Sequence, residues 1–235
     1  MPFKFKEFEI KQEKSAMKVG TDGVLLGAWT SLKNKPYSIL DIGSGTGLIA
    51  LQLAQKSNAE LIDAIEIEPN AYEECVENFE NSDWSDRLFC YHTSLKEFVE
   101  EIEDTYDLIV SNPPFYNENY LSEDASRNKA RSTSSLPFDE LLLSVSKLLS
   151  KDGIFSVIIP FKEEVDFIEN ASINKLYINK ITRVKGTENS DIKRSLLEFS
   201  FKPNKVEISE LTIEIERHQY TSEYINLVKD FYLKM

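Results

Sequence analysis

Short apolar runs alternate along this chain with stretches of helical spacing. Ser38–Asp41, Leu61–Ile67, Leu88–Tyr91, Asp107–Ser111, Ile154–Pro160, Ile178–Lys185 and Leu196–Phe201 are rich in Ile, Leu and Val, and each is bounded by polar or turn residues. Runs of that kind predict strands buried on both faces. Between the earlier runs the spacing predicts helices, one ending at about Lys56 and one from Asn70 to Asn81. Another opens at Leu136-Pro137-Phe138, and its Leu141, Leu142, Val145, Leu148 and Leu149 share one core face. The alternation predicts an α/β fold, a doubly wound and mostly parallel seven-stranded sheet with helices on both faces. The polar turn Gly186–Asp191 predicts an antiparallel hairpin at the C-terminal end. From Val206 onward a strand and a helix are added. Tyr116–Pro137 has no periodicity and is rich in Asn, Ser and charge, which predicts a substrate loop beyond a strand end, partly mobile before substrate binds. The length suits a single domain over 1–235, with an N-terminal extension over 1–35 on the substrate and cofactor side and the addition at 206–235.

Composition narrows the setting. Cys75 and Cys90 make neither a disulfide framework nor a ligand spacing, so no metal is expected and a reducing, cytoplasmic compartment fits. No run of about eighteen apolar residues occurs, so no membrane partner is expected. The formal charge of −13 argues against a nucleic-acid partner. Its distribution partly answers that argument. Many acids fall between Glu60 and Asp107 and read as a solvated face, above all the run Glu100-Glu101-Ile102-Glu103-Asp104. Basic residues gather in three other groups: Lys4, Lys6, Lys11, Lys14 and Lys18; Arg127, Lys129 and Arg131; and Lys180, Arg183, Lys185, Lys193 and Arg194. Shared by one face, they would make a phosphate-binding track, with Arg127 and Arg131 nearest the candidate site. Taken singly, each group also reads as ordinary surface charge.

Candidate chemistry is concentrated at strand ends. Asn112-Pro113-Pro114-Phe115 follows an apolar strand. Each proline fixes φ and restricts the residue before it, making a stiff turn. The Asn112 amide oxygen and the Pro113 carbonyl are two acceptors suited to the two hydrogens of an exocyclic amine, and Phe115 is a flat face for the ring that carries it. Tyr116 is a second candidate for stacking. Upstream, Asp41-Ile42-Gly43-Ser44-Gly45-Thr46-Gly47 joins a strand to a helix. The spacing of Gly43, Gly45 and Gly47 is G-x-G-x-G, not the dinucleotide fingerprint G-x-G-x-x-G. These glycines let a ligand approach, while Asp41 can hold the loop or a ligand ammonium. Glu66 lies 23 residues after Gly43, where a doubly wound fold grips ribose hydroxyls. Glu68, before Pro69, reads as a helix-start carboxylate. His92 reads as packing at a strand end.

The loop, Glu66 and the tetrad, in this order, resemble a class I S-adenosylmethionine-dependent amino-methyltransferase, Rossmann-like in fold. Met17–Trp29 and the tail segments Glu210–Ile215, Tyr220–Tyr224 and Asp230–Leu233 narrow the resemblance. They resemble the bacterial family that methylates N6 of the adenine 3′ of the anticodon in a valine tRNA. The resemblance spans Phe3 to Leu233. It implies S-adenosylmethionine as cofactor, a tRNA substrate, and Lys18, Gly20 and Asn112 among the residues at the cofactor. It also exposes a departure. The third strand in such enzymes often ends in an acid that accepts from the cofactor adenine, where this chain has Ser94, so weaker adenine recognition or a backbone contact is expected. Sister families with a similar tetrad methylate guanine N2 in ribosomal RNA or a protein glutamine, and both stay open. So does a catalytically inactive cofactor-binding protein. The oligomeric state is not legible.

Overall fold

The centre of the sheet is built on strands buried on both faces. The structure, a computed structural model, describes residues 1–114 and 136–235. Its strands are β1 (Phe3–Lys4), β2 (Glu9–Ile10), β3 (Ser38–Ile42), β4 (Leu61–Glu66), β5 (Leu88–His92), β6 (Tyr106–Ser111), β7 (Leu149–Pro160), β8 (Tyr177–Thr187), β9 (Ile192–Ser200), β10 (Glu207–Glu216) and β11 (Gln219–Tyr220). Its helices are α1 (Thr21–Trp29), α2 (Leu48–Lys56), α3 (Pro69–Glu80), α4 (Leu95–Glu101), α5 (Phe138–Leu148), α6 (Glu164–Ile173) and α7 (Ser222–Val228). Every residue of β3 is buried, as a central parallel strand requires.

Side chains alternate between two cores. Ile39, Ile62, Ala64, Leu108 and Val110 face α1, α2, α3 and α7. Leu40, Ile42, Ile65 and Ile109 face α4, α5 and α6. The result is a three-layer sandwich, with strand pairing and helix faces both set by the period-two pattern.

Strand order in the large sheet is β11-β10-β8-β9-β7-β6-β3-β4-β5. The expected strands are all present, and the tail extends the sheet: β10 pairs in parallel with β8, and β11 pairs antiparallel with β10. β9 lies antiparallel to both β7 and β8, forming the expected hairpin. One boundary differs. Leu149, which shares the helical spacing of α5, starts β7 by pairing with Tyr106, and the Ser150 hydroxyl donates to Asp107 Oδ1 at 3.0 Å. Tertiary pairing there overrides local periodicity.

The two ends of the chain meet. Phe5 bridges to Tyr232, Lys6 N donates to Phe231 O, and Phe3, Phe5, Phe8 and Tyr232 form a ring cluster. No helix among the described residues is long and apolar enough to cross a membrane.

Candidate active site

Strand order reverses between β3 and β6, and the crevice beyond their C-terminal ends is where open α/β sheets bind ligands. Three contacts lock the loop there. Gly43 N and Ser44 N donate to Ile65 O at 3.0 and 3.1 Å, and the Ser111 hydroxyl donates to Ile42 O at 2.9 Å. The last bond ties the strand bearing Asn112 to the root of the glycine loop.

The three glycines have different reasons to be glycine. All take positive φ, +72° at Gly43, +55° at Gly45 and +79° at Gly47. A Cβ at Gly43 or Gly45 would meet nothing within 4 Å, so a methyl there would stand in the cavity. At Gly47 it would lie 2.6 Å from Phe79 Cε1 and 2.9 Å from Cys75 Sγ. Gly43 and Gly45 line the cavity, whereas Gly47 is absent from its wall and serves the approach of α2 to α3.

The acids separate similarly. Asp41 is fully buried and off the cavity wall, and its Oδ2 accepts from Ala50 N at 3.2 Å, holding the first turn of α2. Its Oδ1 has no partner among the described residues. Burial pushes this carboxyl up to about 7, opposed by the Ala50 bond and reinforced by Glu66. Glu66 is on the wall; its Oε2 accepts from Gly45 N and its Oε1 from Glu68 N, both at 2.8 Å. Burial raises its carboxyl too, against those bonds. A carboxylate has about four lone-pair sites, so Glu66 keeps acceptor capacity toward the cavity. Glu68 caps α3, its Oε2 accepting from Ala71 N at 2.8 Å, as its position before Pro69 predicts.

The N-terminal segment closes one side. Glu74 and Asn78, one turn apart on α3, hold it by its backbone. Glu74 Oε1 accepts from Lys14 N at 2.9 Å and Oε2 from Ser15 N at 2.8 Å, and Glu13 N donates as well. Asn78 accepts from Lys11 N at 2.8 Å and donates to Thr46 O at 2.9 Å, joining segment and loop. Burial opposes the Glu74 charge, but the backbone donors of Ser15, Lys14 and Glu13 outweigh it and lower the carboxyl below its ordinary value. Sequence reasoning missed both residues. On an acidic surface helix their only signal is their i, i+4 spacing.

The cavity so enclosed measures about 1020 Å³ and includes Lys18, Gly20, Gly43, Gly45, Glu66, Ser94, Asn112 and Pro113 in its wall. Ser94 has a second duty. As N-cap of α4 it accepts from Glu97 N at 3.2 Å while its own backbone N donates to Glu97 Oε2 at 3.1 Å, forming a capping box, and its hydroxyl proton also goes to Glu97 Oε2 at 2.7 Å. One hydroxyl lone pair is thereby left toward the cavity. His92 lies off the wall, stacked on Tyr72 with ring centroids 5.1 Å apart, and fits the packing expectation. Phe115, Tyr116, Arg127 and Arg131, with Lys129 and nearly all of the expected substrate loop, lie outside the described residues.

The basic groups divide. Lys18, Lys185, Lys193 and Arg194 reach the same cavity as Asn112; Lys185 pairs there with Glu188 and Glu210, Lys193 with Asp191, and Arg194 Nε donates to Asp22 Oδ2 at 2.8 Å. Lys180 and Arg183 are not on that wall: Lys180 lies 4.3 Å over the Trp29 ring, and Arg183 pairs with the buried Glu164 at 2.6 Å. Lys11 and Lys14 pair with Glu77 on α3, Lys14 also reaching Glu73. Only part of the expected track therefore shares the mouth. The acids between Glu60 and Asp107 also divide, since Asp63, Glu66 and Glu74 are buried.

The methyltransferase small domain family matches residues 21–135. A protein of Christiangramia forsetii described as a tRNA1(Val) (adenine(37)-N6)-methyltransferase is 62% identical, covering 100% of this chain and 98% of its own. A protein of Flavobacterium johnsoniae with the same description is 60% identical over 99% of this chain and 100% of its own. Among solved structures, a "predicted O-methyltransferase" from Agrobacterium tumefaciens superposes with a TM-score of 0.68 at 17% identity, covering 89% of this chain and 96% of that one. The ribosomal protein L11 methylase of Lactobacillus delbrueckii subsp. bulgaricus gives 0.58 at 16% identity, covering 83% and 84%. At such identities the structural likeness concerns the fold alone.

Proposed function

This chain belongs to the tRNA1(Val) (adenine(37)-N6)-methyltransferase family, and on that premise we propose that it methylates the exocyclic N6 amine of the adenine 3′ of the anticodon in a valine tRNA. The donor is S-adenosylmethionine. The observation that carries the reading is the meeting of Gly43, Gly45, Glu66, Asn112 and Pro113 on one cavity wall.

The residues present fit the donor. Gly43 and Gly45 leave open space where any side chain would intrude, and Glu66 on the same wall keeps acceptor capacity beyond its bonds to Gly45 N and Glu68 N. Glu66 would hold ribose hydroxyls, Thr93 and Ser94 on the same wall would meet the adenine, and Lys18 and Gly20 would close the N-terminal side. When bound, S-adenosylmethionine supplies a methyl group already activated by its sulfonium.

The protein's task is then position and charge. The Asn112 amide oxygen and the Pro113 carbonyl accept the two N–H groups of the amine, favouring a pyramidal nitrogen and stabilising the positive charge that grows on it. A proton leaves to solvent afterwards, so no histidine base is required. An anticodon-loop base is already unpaired, and its entry into the cavity costs less than extraction from a duplex. Phe115 and Tyr116 are assigned to stacking, and Arg127 and Arg131 to phosphates, on sequence grounds. Lys18 on the cavity wall supports an anionic substrate despite the chain's net charge of −13, with Lys185 and Lys193 on the same wall in ion pairs that a phosphate would have to share. A tRNA substrate puts the activity in the cytoplasm, with residues 1–235 acting as one domain.

The test is transfer of labelled methyl from S-adenosylmethionine to bacterial tRNA, ribosomal RNA and protein extract, followed by digestion. N6-methyladenosine from tRNA is expected. Label in N2-methylguanosine or glutamine would move the substrate, and no label despite cofactor binding would favour an inactive binding protein. Asn112→Ala should keep cofactor affinity while methyl transfer falls by about 10²-fold or more.

A further inference from the structure

A second cavity of about 620 Å³ adjoins the first and shares Thr21, Gly186 and Ile213 with its wall. Its lining is aromatic: Phe3, Tyr220, Tyr224 and Tyr232 surround it, with Lys4 and Lys234 in the same wall. Tyr220 and Tyr224 lie 5.3 Å apart at 33°, and Phe3 meets Tyr232 edge-on at 6.2 Å. Tyr224 is buried at 3%, but Tyr220, Tyr232 and Phe3 are only half-buried. Among the described residues of the wall Glu214 is the acidic side chain, accepting from His218 N at 3.3 Å, and Lys4 makes an exposed pair with Glu9 at 3.6 Å.

Half-buried aromatic rings beside lysines have the chemistry of a base-stacking platform with phosphate contacts. Position makes the occupant specific. A base in the catalytic cavity is joined to its neighbours by single phosphodiesters, and the second cavity adjoins that one across Thr21, Gly186 and Ile213. We propose that this cavity takes an unpaired base adjacent to the methylated adenine, stacked on Tyr220 and Tyr232, with Lys4 and Lys234 near its phosphates. The proposal rests on the RNA substrate proposed above. It makes the tail a recognition element as well as packing for the N-terminal hairpin. Stacking accepts any base, so the contact would add affinity and register but little sequence preference.

The experiment uses the full chain, S-adenosylmethionine and an anticodon stem-loop RNA, intact or abasic at either position flanking the target adenine. Tyr220→Leu keeps an apolar side chain but removes the ring; Tyr220→Phe keeps the ring. Tyr220→Leu should raise KM for intact RNA by about 5- to 150-fold, the factor for one base–aromatic stack, while Kd for the cofactor and Tm hold and Tyr220→Phe stays near wild type. One of the abasic RNAs should show the same loss with wild-type protein and little further loss with Tyr220→Leu. An unchanged KM in Tyr220→Leu, or losses that simply add, would overturn the proposal. Should Tyr220→Leu fold poorly, the abasic RNAs with wild-type protein decide: loss at one position supports the platform and no loss at either refutes it. Failure of wild type to methylate any adenine would instead sink the substrate reading itself.

Discussion

Gly47→Ala and Gly45→Ala should separate stability from cofactor binding, although both alter the same loop. At Gly47, φ of +79° imposes a left-handed conformation on alanine, costing about 1–2 kcal/mol. Its Cβ would stand 2.6 Å from Phe79 Cε1 and 2.9 Å from Cys75 Sγ, both in a packed interior, and such overpacking costs about 1–3 kcal/mol more. At Gly45 only the backbone cost applies, since φ is +55° and nothing lies within 4 Å of the added carbon. The sum is about 2–5 kcal/mol against about 1–2 kcal/mol. For a chain of this length each kcal/mol moves Tm by about 2–4 °C, so Gly47→Ala should lower it by roughly 4–20 °C and Gly45→Ala by roughly 2–8 °C. Binding should run the other way. The Gly45→Ala methyl stands in the cavity and should raise Kd for S-adenosylmethionine by about tenfold or more, an effect on the order of 1.4 kcal/mol. Thermal unfolding and calorimetric titration of both variants make the comparison. Phe79→Leu in the Gly47→Ala background should restore part of the lost stability, because it removes the ring carbon that clashes. Equal melting temperatures for the two glycine variants, or no rescue by Phe79→Leu, would refute the assignment of Gly47 to helix packing.

Three further outcomes follow from single contacts. Asp41 has an ordinary value of 3.8 and a folded value of about 7, so the folded state holds its proton across that window and stability falls as pH rises through it. Urea unfolding should therefore show wild type losing about 2 kcal/mol relative to Asp41→Asn between pH 5.5 and 8, and parallel pH profiles would contradict the buried-acid account. Glu74→Ala removes a charged acceptor from three backbone donors, and stability should drop by about 1.5–3 kcal/mol. Amide exchange should accelerate at Glu13, Lys14 and Ser15 but not in α2, and uniform acceleration would mean that Glu74 supports the whole fold instead of this segment. Ser94→Ala breaks the capping box and should cost about 1 kcal/mol in Tm measurements. Its Kd for cofactor should rise only a few-fold, since the lost acceptor is neutral, and a hundredfold rise would make Ser94 a principal adenine contact.

Much of the site was legible because its requirements are local. Paired prolines after Asn112 stiffen a turn whatever surrounds it, and glycines at 43 and 45 signal backbone that needs positive φ and open space. Glu68 before Pro69 is a capping pattern, and it caps α3. The strands at Ser38–Ile42, Leu61–Glu66 and Tyr106–Ser111 were legible for the same reason, since a strand buried on both faces is mostly apolar. The split among the glycines was not legible: Gly47 is glycine because of Phe79 and Cys75, which lie about thirty residues away. Nor was the fate of the charges. Glu74 and Glu77 are neighbours on one acidic helix, yet one is buried against Glu13, Lys14 and Ser15 and the other pairs at the surface with Lys11 and Lys14. Lys180 and Lys193 read alike in the sequence, and only the register of β8 against β9 and the position of Trp29 send one over an indole and the other to the cavity.

The amino-acid sequence by itself determined the alternating layers, the glycine loop, the acid at the second strand end and the turn at Asn112, because each depends on backbone geometry and periodicity within a few residues. Only the tertiary structure decided which of these groups face the cavity, that α3 holds the N-terminal segment against it, and that the two chain ends build an aromatic wall beside it. Those outcomes depend on burial and pairing between residues up to more than two hundred positions apart, such as Lys6 with Phe231. Local pattern carries no record of which distant side chain will supply a partner or displace the water.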